Sequence, residues 1–446
     1  MKKYIDYPVV AFLLIFALSG CKKFLDEKPN QSLATIETLQ DMQALIDNSA
    51  LMNYTDAAMG EAYGDNYFIT DAVYSTQNEY NRNMYTFAKS NVFQPQYNPW
   101  TNCYNQINVA NTILETVEKY SAKEQGLGLI KAQALFFRGK AFYNALTIWC
   151  MPYNSATAAN LPGVPLRLNA NFNEKSERAT IAAGYAQAEQ DLKQSILGLS
   201  GSVISVTRPS KGAAYGMLSR LYLQMRNYEL AGKYADSSLQ VNSNLLDYNT
   251  VSTAANFPMP KLNTEVVFES RVESPGMLVQ ARALISPELY NMYHSNDLRK
   301  MAFFKPSGTN YIFKGSYETA APLFNGITTA EMYLTRAECY ARAGEVAKAI
   351  ADVNLVLNNR YKKGSFNALM ASNLASALAL IKQERRKELA FRSMRWLDIR
   401  RYNEEGDQIT INRTVDGKLY TLLPQSTGYA VPIPDDIISL TGMAQN

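Results

Sequence analysis

The side chains with the most binding chemistry to offer lie in a stretch without helical periodicity, from about residue 50 to residue 99. There Tyr63, Asp65, Asn66, Tyr67, Asp71, Tyr74, Arg82, Tyr85 and Tyr97, followed by Trp100, are mixed with other polar residues instead of being set on one stripe. Flat aromatic faces suit the apolar faces of ring-shaped, polyhydroxylated ligands, while carboxylates, amides and guanidinium groups pair with hydroxyls. A second set, Tyr290, Tyr293, Phe303, Phe304, Tyr311, Phe313 and Tyr317, lies in the irregular stretch between residues 243 and 322. Trp100 is the sharpest single candidate, although its place at the head of a helical pattern suits packing equally well. Core packing with the hydroxyl facing outward accounts for most of the 29 tyrosines.

Catalytic chemistry finds little support. His294 is the one histidine of the chain, and no serine elbow, glycine-rich phosphate loop or zinc-ligand spacing accompanies it. A two-carboxylate glycosidase needs no histidine, but no pair stands out among the 40 acids. No enzyme activity, cofactor or metal is therefore expected; whether a calcium ion steadies a loop stays open. The charged block Glu384 to Arg401 reads as one continuous helix whose acids and arginines, three or four residues apart, pair and lock the scaffold. Among the four cysteines there is no CxxC. Cys103 and Cys150 flank an antiparallel helix pair, so a disulfide and two free thiols are both open readings, and Cys339 reads as a buried thiol.

The elements that must position these groups are helical. Apolar residues recur at three- and four-residue steps over Tyr104 to Tyr120, Ala132 to Trp149, Ile181 to Leu199, Lys211 to Met225, Tyr228 to Val241, Thr329 to Ala343, Val346 to Asn358 and Leu374 to Phe391. Strand alternation is confined to Val266 to Ser270 and to Thr410 to Asn412 with Leu419 to Thr421, the last two joined by Asp416-Gly417, a hairpin signal. Tyr215, Leu218, Tyr222, Ala231 and Ala235 occupy tetratricopeptide spacing, and Tyr333, Tyr340, Ala349 and Val353 repeat it. The fold class is thus all-α, a tetratricopeptide-like repeat scaffold with a few short strands. Three irregular stretches, roughly 50–99, 150–179 and 243–322, are too long for ordinary connections and are candidates for functional loops.

The start of the chain says where it resides. Lys2 and Lys3 precede the apolar run Val9 to Ala17, too short to span a bilayer, and Leu18-Ser19-Gly20-Cys21 has the form of a lipobox. Residues 1–20 read as a lipoprotein signal peptide, Cys21 as the lipidated first residue of the mature chain, residues 21–35 as a tether and residues 36–446 as a single helical domain. A net charge of +4 spread over 446 residues leaves no nucleic-acid footprint.

In order along the chain, the blocks CKKFLDEKP from Cys21, WTNCYNQINVANTIL from Trp100, KAQALFFRGKAFYNALTIW from Lys131, GVPL from Gly163 and AEMYLTRAECYARAGEVAKAI from Ala330 resemble the SusD/RagB nutrient-binding lipoproteins of Bacteroidetes-type bacteria. So do ERRKELAFRSMRWLDIRRYN from Glu384 and the closing VPIPDDIISLTGMAQN; Arg392 and Ser393 depart from the Glu-Gly that the family often carries there. The resemblance implies a SusD-like protein held at the outer membrane by its lipid and facing outside. It would capture oligosaccharides or polysaccharide fragments for a SusC-like TonB-dependent transporter, without cleaving them. Peptide capture of the RagB kind is the alternative on the same scaffold, and a surface glycoside hydrolase a more distant one. The ligand face in the family draws on the two aromatic stretches above.

Overall fold

Short polar side chains close the first turn of most long helices. At α1 (Pro99–Val117) the Asn98 side chain accepts the Thr101 N–H, and Pro99 opens the helix where a missing N–H costs nothing. Helix α2 (Leu127–Trp149) starts without a side-chain cap. Thr180, Ser210, Asn227 and Thr328 cap α3 (Ile181–Gly198), α4 (Lys211–Gln224), α5 (Tyr228–Val241) and α6 (Thr329–Arg342). After α7 (Val346–Asn358), Asn373 and Ser376 form a reciprocal capping box at α8 (Leu374–Glu388). The structure is a computed structural model that describes residue 36 and residues 38–120 and 125–446. The signal peptide, Cys21 and the tether lie outside the described residues.

Each long helix lies against the next one in the chain, α1 on α2, α2 on α3, and so on to α7 on α8. Close approach needs small residues. A Cβ on Gly232 of α5 would stand 2.7 Å from the Cys339 Cβ of α6, so glycine lets those two helices meet. Leu334, Ala337 and Ala341 of α6, Ala349, Ile350, Val353 and Leu357 of α7, and Ala377 and Ile381 of α8 form one buried apolar cluster. Leu39–Asn446 hold together as one compact unit.

The strands are short and tie irregular stretches together. A four-stranded antiparallel sheet has the order Tyr67–Phe68, Leu284–Ile285, Asn310–Phe313, Phe304–Ser307, which joins the first aromatic stretch to the second. The hairpin Ile411–Val415 with Lys418–Leu422 turns through Asp416 and Gly417, at φ 48° and 74°, the left-handed pair that a two-residue hairpin turn requires.

One expectation is corrected. The charged block is not one helix: α8 ends at Glu388, Phe391 and Ser393 adopt φ of 59° and 58°, and α9 (Arg395–Asn403) starts anew. Left-handed residues cannot continue the i→i−4 ladder. The break is packed so tightly that a Cβ on Gly60 would stand 1.8 Å from the Ser393 carbonyl oxygen. The charged side chains therefore find much of their pairing in distant segments. Arg395 pairs with Asp65, Arg385 with Asp398, and Arg299 and Arg360 both with Glu388. Cys103, Cys150 and Cys339 are free and buried, and burial pushes each thiol up to about 12.

Candidate functional site

Arg413 of the hairpin organises the first aromatic stretch from the far end of the chain. It donates to the carbonyls of Ala62 (2.6 Å), Gly64 (3.0 Å) and Tyr85 (3.0 Å), and its guanidinium lies 4.2 Å from the Tyr85 ring centre. Asp65 receives two hydrogen bonds from Arg395, at 2.6 and 2.8 Å, and Asn66 donates to Glu61 at 2.9 Å while accepting from Arg386. Burial alone would raise the Asp65 carboxyl, but Arg395 and then Arg386 outweigh it and hold it at about 2. Tyr63 is buried between Phe87 and Trp396, and Tyr67 is buried with its hydroxyl on the Ala62 carbonyl. Tyr63, Asn66 and Tyr67 are thus built into the interior, while Asp65 is half-buried with both carboxylate oxygens engaged by Arg395.

The second set divides in the same way. Tyr293 is buried and donates to the Lys387 carbonyl, and Phe313 is stacked on Phe391 with centroids 4.6 Å apart. Tyr290 and Tyr311 are half-buried and stacked on each other at 3.7 Å, with the Lys300 ammonium 4.5 Å above Tyr290. Of the remaining sequence candidates, Asp71 is exposed and accepts the Asp416 N–H, while Tyr74 and Arg82 are half-buried, Arg82 donating to the Gln77 carbonyl.

Two recesses flank the head of α1, one lined by Asn98 and Pro99 and the other by Trp100. The smaller is a shallow hollow of about 140 Å³ lined by Asn78, Tyr80, Asn81, Gln94, Tyr97, Asn98 and Glu273. Tyr97 is 81% exposed, an unusual amount for a large aromatic ring. The larger is a cavity of about 430 Å³ between α1, residues 165–176 and the C-terminal helix α10 (Asp435–Thr441). Trp100 is only 4% exposed, stacked on Tyr104 at 4.9 Å and set edge-on against Trp149 at 5.0 Å. It is chiefly packing, with one edge in the cavity wall. The Tyr104 hydroxyl donates to the Pro165 carbonyl at 2.8 Å, and burial pushes this phenol well above its usual range.

Sequence reasoning named Tyr97 and Trp100 and missed Asn78, Tyr80, Tyr104, Asn105, Asn108 and Phe172. The excess length of the stretch from 150 to 179 was the one signal that pointed toward Phe172. Among the described residues no group of three or more His, Cys, Asp or Glu side chains is placed to hold a metal ion, and no helix is long and apolar enough to cross a membrane.

Residues 23–223 match a protein family described as "Starch-binding associating with outer membrane", and residues 289–441 match the SusD family. The chain belongs to the SusD family. Its fold is similar to that of a SusD superfamily protein from Bacteroides thetaiotaomicron, at 21% identity and a TM-score of 0.75 over 92% of this chain and 99% of that one. A putative sugar binding protein from Bacteroides vulgatus is similar at 24% identity and a TM-score of 0.74, over 93% of this chain and 99% of that one. A SusD-like carbohydrate binding protein from the same species follows at 17% and 0.67, over 90% and 96%. Among curated proteins none matches. At these identities the solved relatives establish a SusD-type, helix-rich fold and leave the ligand to the site itself.

Proposed function

We propose that this SusD-family chain is a non-catalytic lipoprotein, anchored through Cys21 on the outside of the outer membrane, that captures oligosaccharides or polysaccharide fragments. It passes them to a SusC-like TonB-dependent transporter. The α4–α5 and α6–α7 pairs serve as tetratricopeptide-like units of a rigid scaffold, and the head of α1 presents the ligand face. The observation that carries this reading is Tyr97, an open aromatic ring beside Tyr80 and the side-chain amides of Asn78, Asn81 and Gln94. A pyranose ring stacks its apolar face on tyrosine and exchanges hydrogen bonds with amides, which both donate and accept. An open hollow meets the flank of a long chain without having to enclose it. Release to a transporter follows from the same shallowness, because little of the ligand is buried.

Affinity electrophoresis through gels containing different polysaccharides tests the reading. Retardation by one glycan class, abolished in Tyr97→Ala, is expected. Absence of retardation by any glycan, together with calorimetric binding of peptides, would replace it with peptide capture.

A further inference from the structure

The cavity on the other side of the α1 head, at about 430 Å³ against about 140 Å³, offers a ligand far more room than the hollow. It is built from three segments far apart in sequence, and each contributes a different chemistry. Helix α1 supplies Tyr104 and, one turn apart on the same face, Asn105 and Asn108, whose side-chain amides have no protein partner among the described residues. The segment 165–176 supplies Phe172, 83% exposed at the mouth, and α10 supplies Leu440, 82% exposed opposite. Two large apolar side chains held in water at the lip of a mostly apolar cavity that carries a few side-chain amides call for a covering ligand.

The lip is held in place. Arg167 donates to the Glu174 carbonyl at 2.6 Å and also to the Asn171 carbonyl and the Ser176 hydroxyl. Asn111 donates to the Arg167 and Asn169 carbonyls at 2.9 and 3.0 Å, and Glu115 accepts the Ala170 N–H at 2.7 Å. Asp435 and Asp436 of α10 accept the N–H groups of Asn91 and Gln96, which fastens the opposite wall to the segment that carries Tyr97.

The charge of the ligand follows from these commitments. Among the described residues the cation of the lining is Arg167, which donates from its terminal nitrogens to two backbone carbonyls and a hydroxyl, and no carboxylate lines the cavity. Beside it stand the neutral amides, ring faces and the apolar side chains of Ile107, Pro165, Ile437 and Met443. They suit a neutral, polyhydroxylated ring, whose hydroxyls meet the amides and whose apolar face meets the rings. Ligand pockets run from about 300 to 1,000 Å³, so this one, near the small end, takes the tip of a chain.

The geometry points to a second carbohydrate site, which encloses the terminal ring or rings of a neutral oligosaccharide between Phe172 and the Asn105–Asn108 face of α1. This inference rests on the reading that the chain captures glycans. It adds that the protein distinguishes chain ends in the cavity from chain flanks at Tyr97.

The test is calorimetry of the full-length chain with neutral gluco-, xylo-, manno-, galacto- and fructo-trisaccharides, run on the unaltered protein, Phe172→Ala, Asn108→Ala and Tyr97→Ala. Binding of at least one trisaccharide is expected, weakened about three- to tenfold in Phe172→Ala, as the loss of one stacking ring implies. Asn108→Ala weakens it similarly, the loss caused by Phe172→Ala recurs on a Tyr97→Ala background, and polysaccharide retardation still depends on Tyr97. Trisaccharide binding that survives Phe172→Ala and Asn108→Ala but fails in Tyr97→Ala overturns the second site and leaves the Tyr97 hollow standing. Polysaccharide retardation with no trisaccharide binding overturns it too. Absence of both overturns the glycan reading itself, and binding of the tripeptide Leu-Leu-Phe in the cavity, lost in Phe172→Ala, reassigns the cavity to peptides.

Discussion

Glu388→Gln isolates what the buried charge network contributes. Glu388, Arg299 and Arg360 have no exposure at all, and Glu388 accepts from Arg299 at 3.0 Å and from Arg360 at 2.8, 3.0 and 3.1 Å. Arg360 also donates to Glu265 at 2.6 Å, and Glu265 accepts from Tyr317. Glutamine keeps the shape but leaves two guanidinium groups short of one negative charge, the case in which breaking a buried pair costs about 3–5 kcal/mol. With a urea dependence of about 3 kcal/mol/M, the unfolding midpoint at pH 7 falls by about 1 M or more. The pH dependence supplies the control. Burial opposes ionisation of Glu388, but Arg360 and Arg299 outweigh it and hold its carboxyl at about 2 instead of 4.5. A depressed carboxyl contributes stability that is complete above the unfolded value and is lost as pH falls toward the folded one. The gap between wild type and Glu388→Gln therefore narrows below pH 4.5, to under half by pH 3. The readout is urea unfolding followed by fluorescence of the buried Trp149 and Trp396, with ligand binding measured on the folded protein. Equal midpoints at pH 7, a gap that ignores pH, or lost binding at unchanged stability would each refute the assignment of this network to the scaffold.

Three further outcomes follow from single sites. Gly60→Ala places a methyl group 1.8 Å from the Ser393 carbonyl and lowers the melting temperature sharply or prevents folding, while Gly201→Ala, which meets nothing within 4 Å, melts like wild type. Burial pushes Glu61 up to about 8, so the folded state holds its proton at neutral pH; the associated stability is complete below pH 4.5 and lost as pH rises through 8. Thermal melts should show wild type losing ground to Glu61→Gln between pH 6 and pH 9. The three buried thiols, each raised to about 12, should resist an aromatic disulfide reagent in native buffer, and Cys103, Cys150 and Cys339 should all react once the chain is unfolded in urea.

The helices were legible because one variable, the apolar period, decides them. Tyr228–Val241 and Val346–Asn358 run as the period predicts, and the others differ by a few residues at the ends. The break after α8 was not legible, since neither Phe391 nor Ser393 is a residue that marks a turn. Ser393 packs on Gly60, more than three hundred residues earlier in the chain, and Phe391 stacks on Phe313.

The same distance in sequence explains the binding face. A mixture of tyrosine, asparagine and aspartate reads alike whether it meets solvent or a buried arginine. Tyr63, Asn66 and Tyr67 are buried against Trp396, Arg386 and Arg413, each more than three hundred residues away. The reverse error hid the cavity: Asn105 and Asn108 occupy the polar side of α1, where polar residues need no explanation beyond water. They line a cavity only because residues 165–176 and α10 stand beside them. Burial pattern and periodicity report what a helix does with its apolar face, and they are silent on which polar face another segment will cover. The residues proposed for the cavity belong to that second kind of face, so their identity has to come from the folded chain, whereas Tyr97, in an irregular stretch, could be named from the sequence.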